Sequence, residues 1–391
     1  MKKFLAMLLV LATALTLCAC GGTSQEETGA DYRIAMVTGL GDITDQSFNQ
    51  ATWDALEQFS ADYPSDIQYF MPTSDDNAAR VAATERAIAQ GYDVIVFPGY
   101  THGATIAEIS ETYPEVKFIA LDVAAGDILQ TAVSNRGETY DYNPDNWNLT
   151  DYAYMDNVYC ATYQEQCSGY MAGYAAVKLG YTSLGYLGGM AVPSVTRFGY
   201  GFIQGAEAAA QELGVTVNMK YAYANQFVAD PDITAVMDTW YNEGTQVVFS
   251  CGAAVWTSVA EAAKKAGGKM IGVDVDQAAE IDGAFGAGMT LTSAMKGLAP
   301  TTYNTLVDIL INDNWTEYAG KIVALGIVSQ DPAENYVQLA PSTLFEEGKF
   351  SYDDYTALVA AMFKGELTVS GDLSTEPATT NVTVNWLGNI K

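Results

Sequence analysis

Short apolar runs that end in glycine, proline or aspartate alternate with helical patterns along most of this chain, and they do so in two consecutive series. A chain written this way buries its runs as strands of parallel sheets covered by helices on both faces. The first series is IAMVTG, IQYFMP, VIVFPG and VKFIALDV, with helices expected near 46–60, 76–90 and 103–112. The second is SLGYLGG, VTVNMKYAY, VVFSCG and KMIGVDV, with helices near 160–180, 195–213, 231–243 and 254–266. A long helix is expected near 292–313, then IVALGI near 322–327 and a terminal segment with YVQLAP. The irregular, tyrosine-rich DYNPDNWNLTDYAYMDN suits a connection between lobes. With 391 residues, 49% of them apolar, the chain can support two domains. The expected fold is α/β with two Rossmann-like lobes, residues 31–155 plus about 276–325 and residues 156–275 plus about 326–391. Ligands of open parallel sheets sit beyond the carboxyl ends of the strands, so the two lobes present their loops to one central cleft.

The N-terminus carries different information. Lys2 and Lys3 precede the apolar run Phe4 to Leu17, which falls short of the ~20 residues that span a bilayer and reads as a signal peptide over 1–19. Leu17-Cys18-Ala19-Cys20 resembles a bacterial lipobox, which makes Cys20 the lipidated residue; an ordinary secretory cleavage nearby is the alternative. Residues 20–30 are small and polar, as a flexible tether should be. The expected location is therefore extracytoplasmic, anchored to the cell membrane through lipid. A formal net charge of −29 with no basic stripe argues against nucleic acid and anionic lipid surfaces as partners. Beyond the signal region stand Cys160, Cys167 and Cys251. On one helix Cys160 and Cys167 would lie about 10 Å apart, too far for a disulfide. Free buried thiols are expected, with a bridge to Cys251 as the alternative.

The stretch IAMVTGLGDITDQSFNQATWDALEQF, Ile34 to Phe59, reads as a buried strand, a glycine turn and a helix. Phe48, Ala51, Ala55 and Phe59 recur at helical spacing, and Thr44 or Asp45 can cap the first turn. Gly39-Leu40-Gly41 is not a dinucleotide fingerprint: Thr44 stands where a third glycine belongs, no lysine follows, and Asp42 and Asp45 would repel a phosphate. A lone histidine, His102, leaves no metal set and no triad, and no GxSxG turn supplies a nucleophile. His102 reads as a helix-start or cleft-wall residue. Asp122 in FIALDV and Asp274 in MIGVDVD each end an apolar strand, where they either accept hydrogen bonds from ligand hydroxyls or cap a turn. Lys296 in TSAMKGLA is a basic residue in an apolar setting; buried, it needs a carboxylate such as Asp274, and otherwise it is a solvated helix lysine.

VTGLGDITDQSFNQATWDAL, with YPEVKFIALD, GYLGGMAVPSVTRFGYGFIQGAEAA, MIGVDVDQ and TSAMKGLAPTTYN, resembles the basic membrane lipoproteins over nearly all of residues 31–330. The resemblance implies a type I periplasmic-binding-protein fold and the substrate-binding component of an ABC importer of nucleosides, acting as a monomer with permease and ATPase partners, no cofactor and no catalysis. It places a purine ring between Phe48 and Phe227, core packing being the other reading of Phe48, and makes Asn49 the base-reading amide. It assigns Asp122, Asp274 and Lys296 to the ligand's polar groups and the backbone of Gly252 and Ala254 to the sugar. One departure stands out: Gly39 occupies the position of a family aspartate that contacts the base, leaving Asp42 or a water to substitute, or the ligand to differ. The same cleft suits riboflavin or another flat heterocycle with a polyol. A nucleoside-hydrolysing enzyme and a surface receptor without transport are the rivals from other classes.

Overall fold

A computed structural model describes residues 32–39 and 41–391. The expected signal peptide, Cys20 and the whole tether lie outside them. Strands and helices alternate in chain order: β1 (Tyr32–Val37), α1 (Phe48–Asp62), β2 (Ser65–Phe70), α2 (Asn77–Ala89), β3 (Val94–Pro98), α3 (His102–Ile109), β4 (Lys117–Leu121), α4 (Ala125–Asn135), α5 (Leu149–Tyr152) and β5 (Val158–Tyr163). Then come α6 (Glu165–Lys178), β6 (Ser183–Gly188), α7 (Pro193–Leu213), β7 (Val217–Tyr223), α8 (Pro231–Asn242), β8 (Val247–Cys251), α9 (Trp256–Ala266), β9 (Lys269–Asp274), α10 (Ala278–Phe285) and β10 (Thr290–Lys296). The chain finishes with α11 (Leu298–Leu306), β11 (Ile322–Leu325), β12 (Val337–Leu339), α12 (Tyr352–Phe363) and β13 (Val382–Asn389).

Two sheets result, as the repeated alternation predicts. The first runs β11-β5-β4-β3-β1-β2, all parallel. The second runs β12-β10-β9-β8-β6-β7-β13, parallel except for β12 against β10. Helices on both faces explain why β1 has no polar side: Ile34 and Met36 enter one core while Ala35 and Val37 enter another. Each sheet reverses its strand order once near the middle, between β1 and β3 and between β6 and β8, and the crevices at those points open on the same cleft.

Sheet membership departs from the expected lobe bounds at two places. β5 extends the first sheet, so the chain first crosses at Gln164 rather than near 155; Val158, Tyr159, Thr162 and Tyr163 are the β-branched and aromatic residues that favour a strand there over the expected helix start. α10 packs on α9, and β10 joins β9, so the return crossing falls at Gly297 rather than near 276. The helix expected over 292–313 is thus β10 followed by α11 and one π turn, Val307–Ile311. Apolar, small and threonine side chains in TLTSAMK fit a strand buried on both faces as readily as a helix.

The third crossing leaves β11 for β12. The three segments lie side by side: Gln164 N donates to Leu325 O at 2.8 Å, Tyr336 N to Gly326 O at 3.1 Å, and Gly297 N to Tyr336 O at 2.7 Å. Few residues there carry the whole connection between lobes, which is the construction of a hinge. α6 and α7 pack through glycines: a Cβ on Gly205 would lie 1.9 Å from Tyr170 O, and one on Gly173 2.1 Å from Phe202 O. Their close approach brings the first residue of α6, Glu165, beside Arg197 on α7. Cys160, Cys167 and Cys251 are free and buried, and among the described residues no helix is long and apolar enough to cross a membrane.

Candidate functional site

The cleft begins where α1 begins. Asp45 caps that helix, accepting from the backbone N–H of Ser47, Asn49 and Gln50, each at 3.0 Å, and from Asn49 Nδ2 at 2.9 Å. Asn49 Oδ1 in turn accepts from Gly39 N at 3.2 Å, so the amide plane is fixed before any ligand arrives. Phe48, expected on the buried stripe of α1, is only half-buried and turns to the cleft; Ala51, Ala55, Leu56 and Phe59 make the stripe. Asp42 does not reach the cleft wall; its carboxylate accepts from the backbone and hydroxyl of Thr44 in an exposed turn.

Opposite lies a buried ionic cluster. Lys296 Nζ sits 2.9 Å from Asp122, 3.4 Å from Glu165 and 3.9 Å from Asp274. The nearest carboxylate is therefore Asp122, with Asp274 the farthest of the three. Glu165 also accepts from Arg197 Nε at 2.5 Å, and Asp274 accepts from Ser47 Oγ at 2.6 Å. The ammonium lies 4.5 Å from the centroid of the Phe48 ring, so the cation and the ring form one surface. Burial alone would lower the Lys296 pKa, but Asp122, Glu165 and Asp274 outweigh it and hold the group above the ordinary lysine range. Burial pushes the Asp122 carboxyl up, yet Lys296 and Arg197 overcome it and hold it below its usual value. For Glu165 and Asp274 burial prevails and the carboxyls are held high.

Asp122 and Asp274 share a backbone signature. Each directly ends its strand with φ in the left-handed region, 62° and 67°. Aspartate tolerates that region better than most residues, but the conformation still costs about 1 kcal/mol or more and persists only where surrounding contacts enforce it. In both cases the turn aims the carboxylate at Lys296.

Several contacts join the lobes across this cleft. Besides Lys296–Asp122, Ser47–Asp274 and Lys296 on the Phe48 ring, Gln277 Nε2 donates to Gln46 O at 3.3 Å, and Tyr100 Oη approaches Met190 Sδ at 3.9 Å. A cavity of about 230 Å³ lies between the lobes.

Phe227, on the loop from β7 to α8, lines the other end. Its ring rests on Gly189 and Gly252: a Cβ on Gly189 would lie 2.5 Å from the ring, and one on Gly252 2.9 Å from the Gly189 backbone. Ala254 N donates to Phe227 O at 3.1 Å, so Gly252 and Ala254 line the cleft while holding this loop. The loop is braced from outside by β13: Ile390 N donates to Tyr223 O at 2.8 Å, and Lys391 pairs with Asp230 and Asp232.

All eight expected ligand residues line one cleft: Phe48, Asn49, Asp122, Phe227, Gly252, Ala254, Asp274 and Lys296. Sequence reasoning passed over Asp75, Tyr100 and Met190 on its walls and Glu165 and Arg197 behind it. Glu165 had one readable signal, a carboxylate two residues after a strand end. His102 is the first residue of α3 and lies behind the wall, stacked 4.6 Å from Phe97.

The profile of the Bmp family, described as ABC transporter substrate-binding protein, PnrA-like, matches residues 33–339. The ABC transporter nucleoside-binding protein BmpA of Lactococcus lactis is 25% identical over 297 residues, 71% of this chain and 75% of its own. Basic membrane protein B of Borreliella afzelii is 26% identical over 320 residues, 80% of this chain and 84% of its own. Among solved structures, an ABC transporter solute-binding protein from Aeropyrum pernix superposes with a TM-score of 0.67 at 19% identity, covering 88% of this chain and 94% of that one.

Proposed function

The chain belongs to the Bmp family of PnrA-like ABC transporter substrate-binding proteins, and from that premise we propose that its cleft captures a nucleoside, a purine nucleoside first, and delivers it to a permease. One observation carries the reading: two phenylalanines, a fixed amide and a lysine–carboxylate cluster line the walls of one cavity between the lobes. A nucleoside is a flat ring joined to a polyol. Phe48 and Phe227 suit the ring, at about 1–3 kcal/mol per stacked face. Asp122, Asp274 and Lys296 suit the hydroxyls, because ionised partners make the stronger hydrogen bonds. The relative from Lactococcus lactis, named a nucleoside-binding protein, supports the choice of ligand.

The pairing of two cleft carboxylates supports binding without turnover. Asp122 is paired with Lys296, and Asp274 accepts from Ser47, so each carboxylate already has a partner. Opening at the three crossing segments would part the interlobe contacts, and the ligand would restore closure by bridging the lobes. We assign Cys20 as the lipid anchor that keeps the receptor beside its permease. Riboflavin, another flat ring system joined to a polyol, is the second reading.

Native mass spectrometry of residues 21–391, followed by calorimetry with the identified compound, tests the reading. A copurified nucleoside bound without release of free base is expected. Release of free base on incubation contradicts the receptor; a copurified flavin selects the second reading.

A further inference from the structure

We propose that a second cavity, against the first sheet and beside the crossing segments, binds a primary ammonium ion on a short apolar stem. It has a volume of about 600 Å³ and shares no lining residue with the ligand cleft. β5 and β11 supply one wall through Tyr159, Val323 and Leu325, and α11 with the π turn after it supplies another through Thr305, Val307 and Asp308. Tyr336, whose backbone bonds to Gly297 and Gly326 across the crossing segments, lines the side nearest the hinge.

Two hydroxyls point to an occupant. Tyr159 and Thr305 are 4% and 3% exposed and both line the cavity; each hydroxyl keeps some accessible surface and has no hydrogen-bond partner among the described residues. Neighbouring phenols are engaged: Tyr303 Oη donates to Asp62 at 2.8 Å, and Tyr318 Oη to Asp308 at 2.5 Å. Buried polar groups ordinarily have partners, so two spare ones on one cavity call for a ligand that meets both. Burial pushes the Tyr159 hydroxyl up to about 12, which keeps it a neutral phenol able to accept as well as donate.

The charge of the walls selects the ligand. Asp308 and Glu317 line the cavity, and no lysine, arginine or histidine does, so an anion has nothing there to pair with. Lys321 draws Glu317 away at 3.5 Å, leaving Asp308 as the counter-charge. Asp308 accepts on one oxygen from Tyr318 Oη and on the other from Asn312 Nδ2 at 2.9 Å, and each oxygen keeps a lone pair for a cation. Five tyrosine rings line the same volume, and Tyr159 and Tyr318 meet edge to face at 4.8 Å. Aromatic faces attract an ammonium electrostatically. Its N–H groups suit Tyr159 Oη, Thr305 Oγ1 and Asp308 as acceptors, and Val307, Val323 and Leu325 suit an apolar stem.

The test compares butylamine, butanol and butyrate, which share a stem and differ in head group, by ligand-observed NMR on the purified full chain. Butylammonium should bind on the order of tenfold more tightly than either of the others. Tyr159→Phe removes a hydroxyl that bonds nothing in the fold, so it should weaken butylammonium by about tenfold without lowering the unfolding temperature. Asp308→Asn, which removes the counter-charge, should weaken it at least as much. Thermal unfolding checks that each variant is folded, and Tyr159→Phe keeps the test open if Asp308→Asn is not. Butanol binding as tightly as butylammonium overturns the assignment of a cation. Butylammonium binding that survives both substitutions is general attraction to an acidic surface and overturns the site, as does no binding at all. A fall in stability with Tyr159→Phe shows the hydroxyl to be bonded within the fold and removes it as a ligand group.

Discussion

The two ends of the cleft are built on opposite plans. At the charged end, Lys296, Asp122, Glu165 and Asp274 are almost completely buried, and the Lys296–Asp122 pair crosses the lobe boundary. At the aromatic end, Phe227 stands on an irregular loop, seated on two glycines and tied down by single backbone hydrogen bonds. Buried charges hold their geometry because breaking one pair strands the others; a ring on a loop can adjust at small cost. On the proposed function, closure and polyol capture fall to the charged end, and ring selection to the aromatic end.

Removing Lys296 should have the largest effect. Lys296→Met leaves three buried carboxylates facing Arg197 alone, which should destabilise the fold by about 3–5 kcal/mol and abolish binding. Denaturant unfolding and calorimetry measure the two losses, and a stable variant that binds normally would break the comparison. Asp274→Ala should abolish nucleoside binding while the protein stays folded, since its hydrogen bond to Ser47 is one contact among many; unchanged affinity would refute its role. Phe227→Ala should weaken binding by about 1–3 kcal/mol and leave the unfolding temperature nearly unmoved. A collapse of stability would show that the aromatic end, too, is structural.

A pH dependence sharpens the charged side. Asp127, the N-cap partner of α4 behind Asp122, has its pKa pushed up to about 7 by burial. An acid whose folded pKa is raised binds more protons folded than unfolded between its two values. Stability should therefore decline as pH rises from about 4 to about 7, with a slope on the order of 1 kcal/mol per pH unit from this group. Asp127→Asn should flatten that decline in thermal unfolding, and an identical profile would remove Asp127 as its source. The smallest effect belongs to Lys391, whose partly exposed pairs with Asp230 and Asp232 brace the Phe227 loop. Lys391→Ala should quicken ligand release by no more than about threefold with no change in association. A larger change in stopped-flow traces would mean the loop is held mainly from its outer side.

What the sequence disclosed follows the same division. Strands such as VKFIALDV and KMIGVDV announced both themselves and the loops that follow, so Asp122 and Asp274 could be placed at strand ends directly. TLTSAMK did not, because a strand buried on both faces has no period to separate it from a buried helix segment. At Phe48 spacing alone pointed to the apolar stripe of α1, while the family resemblance pointed to the cleft that the ring lines. Glu165 and Arg197 were out of reach for another reason: they meet because glycines on α6 and α7 let those helices approach, a contact 32 residues apart in sequence. The bracing of Phe227 by β13 depends likewise on which edge of the second sheet the last strand joins.

The central claim is that one ligand engages both ends at once. Calorimetric titration with a purine nucleoside, its free base and ribose tests this most directly. The nucleoside should bind at least tenfold more tightly than either part, with Phe227→Ala reducing binding of the nucleoside and base but not ribose. Free base binding as tightly as the nucleoside, or no binding by any of the three, would contradict it.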